Sequence, residues 1–303
     1  MFDDPPIPPL SEPERDGVDG LDLDEPPTVV SVSDVHGYLQ PARSALLTLA
    51  DHPDFDPAVS MDPAEGLQWT GGEEFVLVFN GDLFDRGPDN DAVAAMVARL
   101  ARQAPEGHVR VTLGNHEMGV LMPDCFGWDY WYSGKCDTAD RRVFIDRVHE
   151  GLVVAGYEGH NVTYAHAGRP EPYEVKALND DLAAAAGWLG EAAGTDADAA
   201  TQRDVIAASP EVLGTDGRTG RGPGAGIAWL DFEHMHADAP PQVVGHTRQD
   251  RPRRKGDVIC QNTIRSTNGR EGGEAAVVET PDRLAALARD PQGGVRVYEF
   301  AVP

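Results

Sequence analysis

Asp34 and His36, Asp82, Asn115 and His116, His166 and His246 share two properties. Each belongs to the residue types that bind metals or move protons, and each stands just after a short β-branched run. The runs are "TVVSVSDVHG" (28–37), "EFVLVFNGD" (74–82), "VRVTLGNHE" (109–117), "NVTYAHAG" (161–168) and "QVVGHT" (242–247). An apolar run that stops at polar residues reads as a buried strand delivering its last residues into a cleft at the sheet's carboxyl edge. Carboxylate, imidazole and amide oxygen are donors that suit Mn²⁺, Fe or Zn²⁺. Asp34 and His36, two apart on a chain leaving a strand, can turn into one cleft, and Asp82 from the neighbouring strand is the natural bridge between two ions. Asp85 and Arg86 follow at once in "GDLFDRG".

The elements that must position these residues alternate. Helical patterns fall at 42–50, 90–103 and 139–151, the second opened by Asp89 or Asn90 as N-cap. Strands alternating with helices give an α/β sandwich. Near the end "DVICQNT", "AAVVET" and "VRVYEF" read as closer-spaced strands, expected to be antiparallel. Ala-rich helix candidates and the Gly-rich "GTDGRTGRGPGAG" make 174–226 an inserted helical cap with a flexible loop. Residues 1–27 are acidic and Pro-rich, expected to be a disordered or loosely docked tail ahead of a single domain over 28–303.

A formal charge of −26, from 51 acidic and 25 basic residues, repels nucleic-acid backbones and anionic membranes alike, so neither is an expected partner. A phosphorylated substrate would need a local cationic site. Lys135, Lys176 and Lys255 are the only lysines, and this arginine-over-lysine bias with abundant Asp and Ala resembles proteins of salt-accumulating archaea. Cys125, Cys136 and Cys260 form no Cys-x-x-Cys pair, which suits a reducing, cytoplasmic setting. No basic n-region with an apolar core opens the chain, and no apolar run approaches the ~20 residues of a membrane span.

Taken in order, "SDVHG", "GDLFDRG", "GNHE", "HAG" and the final "GH" resemble the signature of the calcineurin-like metallophosphoesterases, within them the phosphoprotein phosphatase type. The motifs span residues 33–247. The resemblance implies a four-layer α/β/β/α sandwich of two mixed sheets flanked by helices. It also implies two divalent ions, Mn²⁺ first and Fe or Zn²⁺ as alternatives, one held by Asp34, His36 and Asp82 and the other by Asp82, Asn115, His166 and His246. A hydroxide between the ions would attack phosphorus. His116 would be the general acid, Asp85 its orienting partner, Arg86 a bidentate grip on phosphate, and Glu117 a hydrogen-bonding support rather than a ligand.

The chain departs from that pattern at Ser33 and Ala167, where glycine is usual, and at Leu113, where eukaryotic protein phosphatases carry arginine. Leu113 points to the bacterial or Shewanella-like branch or to the symmetrical diadenosine tetraphosphate hydrolases. Thr247-Arg248 replaces the second histidine of many phosphodiesterases. The reading is therefore a phosphomonoesterase, with phosphoserine or phosphothreonine in proteins as candidate substrates; a dinucleoside polyphosphate hydrolase is the alternative, with a nuclease or an inactive scaffold behind it. Arg169, Arg218 and Arg221 are candidates for a second phosphate-binding arginine. The aromatic segment 125–136 is expected to be packing rather than a lid.

Overall fold

A computed structural model describes residues 9–267 and 269–303. The strands are β1 (Thr28–Val32), β2 (Val59–Asp62), β3 (Gly66–Trp69), β4 (Phe75–Phe79), β5 (Val109–Thr112), β6 (Val153–Val154), β7 (Gly156–Glu158), β8 (Thr163–Ala165), β9 (Gln242–Val244), β10 (Arg253–Lys255), β11 (Val258–Cys260), β12 (Ala275–Thr280), β13 (Arg283–Arg289) and β14 (Val295–Phe300). The helices are α1 (Glu12–Asp16), α2 (Leu39–Leu46), α3 (Asn90–Gln103), α4 (Asn115–Leu121), α5 (Pro123–Phe126), α6 (Thr138–His149), α7 (Val175–Ala192), α8 (Asp198–Ala208), α9 (Pro210–Leu213) and α10 (Ile264–Thr267).

A seven-stranded sheet runs β14-β13-β12-β1-β4-β5-β6, and a five-stranded sheet runs β10-β11-β9-β8-β7. Both are mixed: β1, β4, β5 and β6 are parallel and β12 to β14 antiparallel, while β8, β9 and β11 are parallel between antiparallel edges. The period-2 pleat sorts the side chains. Val76 and Val78 of β4 face the second sheet with Tyr164, Val243 and Ile259, while Leu77 and Phe79 face α2 and α3 with Leu46, Val93 and Val97. A strand buried on both faces has no polar side to show, which is why β4 is uninterruptedly apolar. The two sheets are also joined by polar contacts: Asn80 Nδ2 donates to Val243 O at 2.9 Å and its Oδ1 accepts from Thr112 at 2.8 Å.

Two expectations are corrected. β11, read as antiparallel, is so only toward β10; it lies parallel to β9, so its carboxyl end reaches the same rim as the others. Residues 9–27 are folded onto the body rather than loose. Val18 is buried, Asn179 donates to Asp16 at 2.8 Å, and the buried guanidinium of Arg110 donates to Glu14 O at 2.5 Å. Buried polar partners of this kind hold an acidic, Pro-rich segment that composition alone would release. Residues 1–8 lie outside the described residues. The 174–226 segment does form helices: α7 packs on α6 and β7, and α8 on α7 and α5. Among the described residues no helix is long and apolar enough to cross a membrane.

Candidate metal and phosphate site

Asp34 and His36 follow β1, Asp82 follows β4, Asn115 opens α4 after β5, His166 follows β8, and His246 stands two residues beyond β9. All six are buried at one rim. Of the seven described non-glycine residues with positive φ, six are here: Asp34, His36, Asp82, Asp85, Arg86 and His246. That conformation costs L-residues energy and persists where surrounding structure enforces it, as functional sites do. Gly81 cannot be replaced: its φ is +75°, and a Cβ would meet the His166 ring at 2.4 Å. Gly87 is required by close approach instead, since a Cβ would lie 2.5 Å from the Gly37 backbone.

Asp82 is the centre. Its Oδ2 lies 3.4 Å from His36 Nε2 and its Oδ1 3.5 Å from His166 Nε2. Two groups of potential ligand atoms share it, His36–Asp82–His116 and Asp82–His166–His246. His36 Nδ1 pairs with Phe84 O at 2.9 Å and His166 Nδ1 with Asn80 O at 3.0 Å; both carbonyls can only accept, so each Nδ1 carries a proton and each Nε2 faces the cleft. Asn115 Oδ1 and His246 Nε2 are buried without a hydrogen-bond partner. Two orphaned donor atoms beside a shared carboxylate are what a pair of cations would satisfy, so the residues fit a dinuclear centre.

The electrostatics agree. Burial holds His36 and His246 well below the usual imidazole range, in the neutral form that ligates. Burial opposes the charge on Asp82, yet His166 and His116 hold its carboxyl well below the ordinary range. Burial lowers His166, but Asp82 outweighs it and brings the imidazole up to about 9, so its Nε2 holds a proton that a bound cation would displace. Asp34 is pushed up to about 7 by burial, with the Asp82 charge adding to it against the pull of His166. Its oxygens accept from Asn262 Nδ2 at 2.6 Å and from His246 N at 3.0 Å. Glu117 sits beneath, accepting from the backbone N–H groups of Asp82 (2.7 Å), Leu83 (2.8 Å) and Gly114 (3.0 Å).

His116 Nδ1 lies 2.5 Å from Asp85 Oδ2, and its Nε2 lies 2.9 Å from Arg86 Nη2. A guanidinium can only donate, so Nε2 accepts and Nδ1 donates. The pocket around them, about 290 Å³, is lined by Arg86, Arg221 and Arg265 and by Trp128, Tyr130, Trp131 and Trp229, beside the metal-type residues. Within an acidic protein this is a local cationic pocket of the kind a phosphorylated ligand would need.

The three arginine candidates are placed differently. Arg221 lines the pocket; Arg169 turns away to Glu211 at 3.2 Å; Arg218 is not among the lining residues. No residue of α7, α8 or α9 lines it, so the helices of the 174–226 segment stand beside the pocket and only its loop enters. The aromatic segment forms part of the wall: the Trp128 ring lies 5.1 Å from that of His116, and Arg86 sits 5.1 Å from the Trp131 centroid. Packing alone does not describe it, although Phe126 does stack on Trp229. Asn262 and Arg265 were missed. Both follow β11, and the strand-then-polar pattern of "VICQNTIR" was the available signal.

The calcineurin-like phosphoesterase family matches residues 27–212, and the chain belongs to that family. That family is built around a divalent metal centre. An uncharacterised protein of Schizosaccharomyces pombe is 32% identical over 149 residues, 46% of this chain. The match spans 40% of the length of that curated relative. Among solved structures, a cold-active protein tyrosine phosphatase is similar at TM-score 0.58 and 19% identity, over 95% of this chain and 83% of that one. The cold-active protein-tyrosine phosphatase of a psychrophilic Shewanella species is similar at TM-score 0.54 and 20% identity, over 97% and 87%. These likenesses are of fold.

Proposed function

We propose that the protein is a phosphomonoesterase that removes phosphate from phosphorylated protein side chains. The observation that carries this reading is His116 set between Asp85 and Arg86 in a cationic pocket: an imidazole whose outer nitrogen can take up and pass on a proton, with a guanidinium fork beside it. Asp34, His36 and Asp82 would hold one cation and Asp82, Asn115, His166 and His246 the other. Manganese is the metal we assign, on the mixed oxygen and imidazole donors. When bound, such a pair supplies a lowered pKa for water and polarisation of phosphoryl oxygens.

The chain's own residues do the rest. Arg86 turns from His116 to two non-bridging oxygens, a planar contact lysine cannot copy. That turn frees Nε2 to take up a proton from solvent, which His116 then delivers to the leaving oxygen, while Asp85 steadies the ring through Nδ1. Arg221 and Arg265 offset charge on the phosphoryl group, and Trp128 and Trp131 limit water access from the side. The likeness to the two protein tyrosine phosphatases named above supports the phosphomonoester class.

The aromatic wall also favours a second reading, a dinucleoside polyphosphate hydrolase whose adenine stacks on Trp128, Tyr130 or Trp131. Competition between phosphothreonine or phosphotyrosine peptides and diadenosine tetraphosphate, with Mn²⁺ and the Asp82→Asn protein as blank, separates the two. Phosphate from a peptide supports the first; ADP with the peptides untouched replaces it by the second.

The charge of −26 and the scarcity of lysine support adaptation to high salt inside a cell. Unfolding followed against KCl tests it: an unfolding temperature that does not rise with salt removes the halophilic reading.

A further inference from the structure

Asp85 is wholly buried and its backbone lies at a φ of +73°. Its position is fixed first by its own N–H, which donates to Asn90 Oδ1 at 2.7 Å. Its carboxylate is then held by one residue outside every signature motif. Ser133 N donates to Oδ1 at 2.8 Å, and Ser133 Oγ donates to Oδ2 at 2.7 Å. Oδ2 is also the oxygen facing His116 Nδ1. A carboxylate with both oxygens tied to one residue cannot rotate, so the lone pair offered to the imidazole is fixed in direction.

Ser133 is buried and sits in a single 3₁₀ turn over Ser133–Lys135, directly after the aromatic wall. Space for it is made by Gly119 on α4, where a Cβ would lie 2.9 Å from Ser133 Oγ. The turn is also drawn down by Tyr132, whose hydroxyl donates to Asp91 at the start of α3. Buried hydroxyls occur where they are bonded, and this one is spent on Asp85 alone.

Resting on the phosphatase reading, we propose that Ser133 is a positioning residue for proton delivery: it locks Asp85 so that His116 Nε2 points at the leaving-group oxygen. Ser133 touches no substrate and acts through Asp85. Its contribution is greatest when the leaving oxygen needs a proton, and vanishes when the leaving group departs as a stable anion.

The test is a leaving-group series with Mn²⁺: phenyl, 4-nitrophenyl and 2,4-dinitrophenyl phosphate, on wild type, Ser133→Ala, His116→Asn and the double variant. Misplacing an acid forfeits part of its typical ~10²–10⁴-fold, so kcat of Ser133→Ala on phenyl phosphate falls on the order of tenfold, with the dinitrophenyl ester within about twofold of wild type. In the His116→Asn background the serine substitution costs nothing further, since both act through one proton transfer. Equal loss across the series, no loss, or the same loss without His116 overturns the inference while leaving the phosphatase reading in place. A wild type that hydrolyses none of the three removes that reading and the inference with it. Melting temperatures verify folding, and Ser133→Cys, nearly the same size but a weak donor, carries the same split if alanine unfolds the turn.

Discussion

Arg86 and His116 hold one another: Nη2 of the arginine donates to Nε2 of the histidine at 2.9 Å, so the proposed phosphate fork occupies the nitrogen proposed to serve the leaving group. Substrate must exchange these partners before protonation. Arg86→Lys keeps the charge and loses the fork. Giving up one charge-assisted hydrogen bond of ~1.5–3 kcal/mol lowers kcat/KM by about 10- to 100-fold. Metal content, read by plasma emission on the same sample, stays at the wild-type value.

The roles of Asp82 and His116 separate in metal binding. Asp82 is shared by both ligand groups, so Asp82→Asn loses metal and activity together. His116 belongs to one of those groups by distance, yet both its nitrogens are engaged by Asp85 and Arg86. His116→Asn therefore retains metal and loses about 10²- to 10⁴-fold in kcat. Loss of a cation on that substitution would make His116 a ligand and end its assignment as acid.

Glu117 accepts from three buried backbone N–H groups. Glu117→Ala leaves all three unpaired, at ~1–3 kcal/mol for each buried group, so the urea midpoint falls well below that of wild type. Glu117→Gln keeps an acceptor and is milder. An unchanged midpoint in the alanine variant would show that water replaces the carboxylate.

Glu279 on β12 lies far from the metals in kind. Burial raises its carboxyl above the usual range, against bonds from Asn161 N and from the Tyr164 hydroxyl at 2.8 Å. A raised folded pKa means the folded state binds the proton more tightly than the unfolded chain. Stability from this group is fully present below the unfolded value of about 4.5 and declines as pH rises through the folded one. Denaturation of wild type against Glu279→Gln at several pH values reads this: wild type loses ground as pH rises from 4.5, whereas a pH-independent difference would place its proton affinity at the unfolded value.

Much of the site was legible because its residues stand at fixed distances past apolar runs, and strand ends deliver side chains to one rim. Asn262 and Arg265 follow the same rule but were hidden by strand direction. Periodicity locates β11; only its pairing with β9 makes it parallel. β13, "RLAALAR", was unread because Ala and Leu favour helices, and it is a strand through full antiparallel pairing on β12 and β14. Ser133 carried no signal at all, since its meaning lies in Asp85, 48 positions earlier. The helix over 90–103, by contrast, stands as its apolar spacing indicates.

Asn80, which spans from Thr112 to Val243, has a mechanical consequence. Asp34, His36, Asp82 and Asn115 ride on the seven-stranded sheet, His166 and His246 on the five-stranded one. The gap between the half-sites is therefore gauged by the thickness of the apolar sandwich beneath them, and Asn80 is the shear pin that stops one plate sliding over the other. Bulk inserted at Val78 or Val243 would jack the plates apart and detune cation affinity from a distance, and bound cations would in turn rivet the plates at their rim.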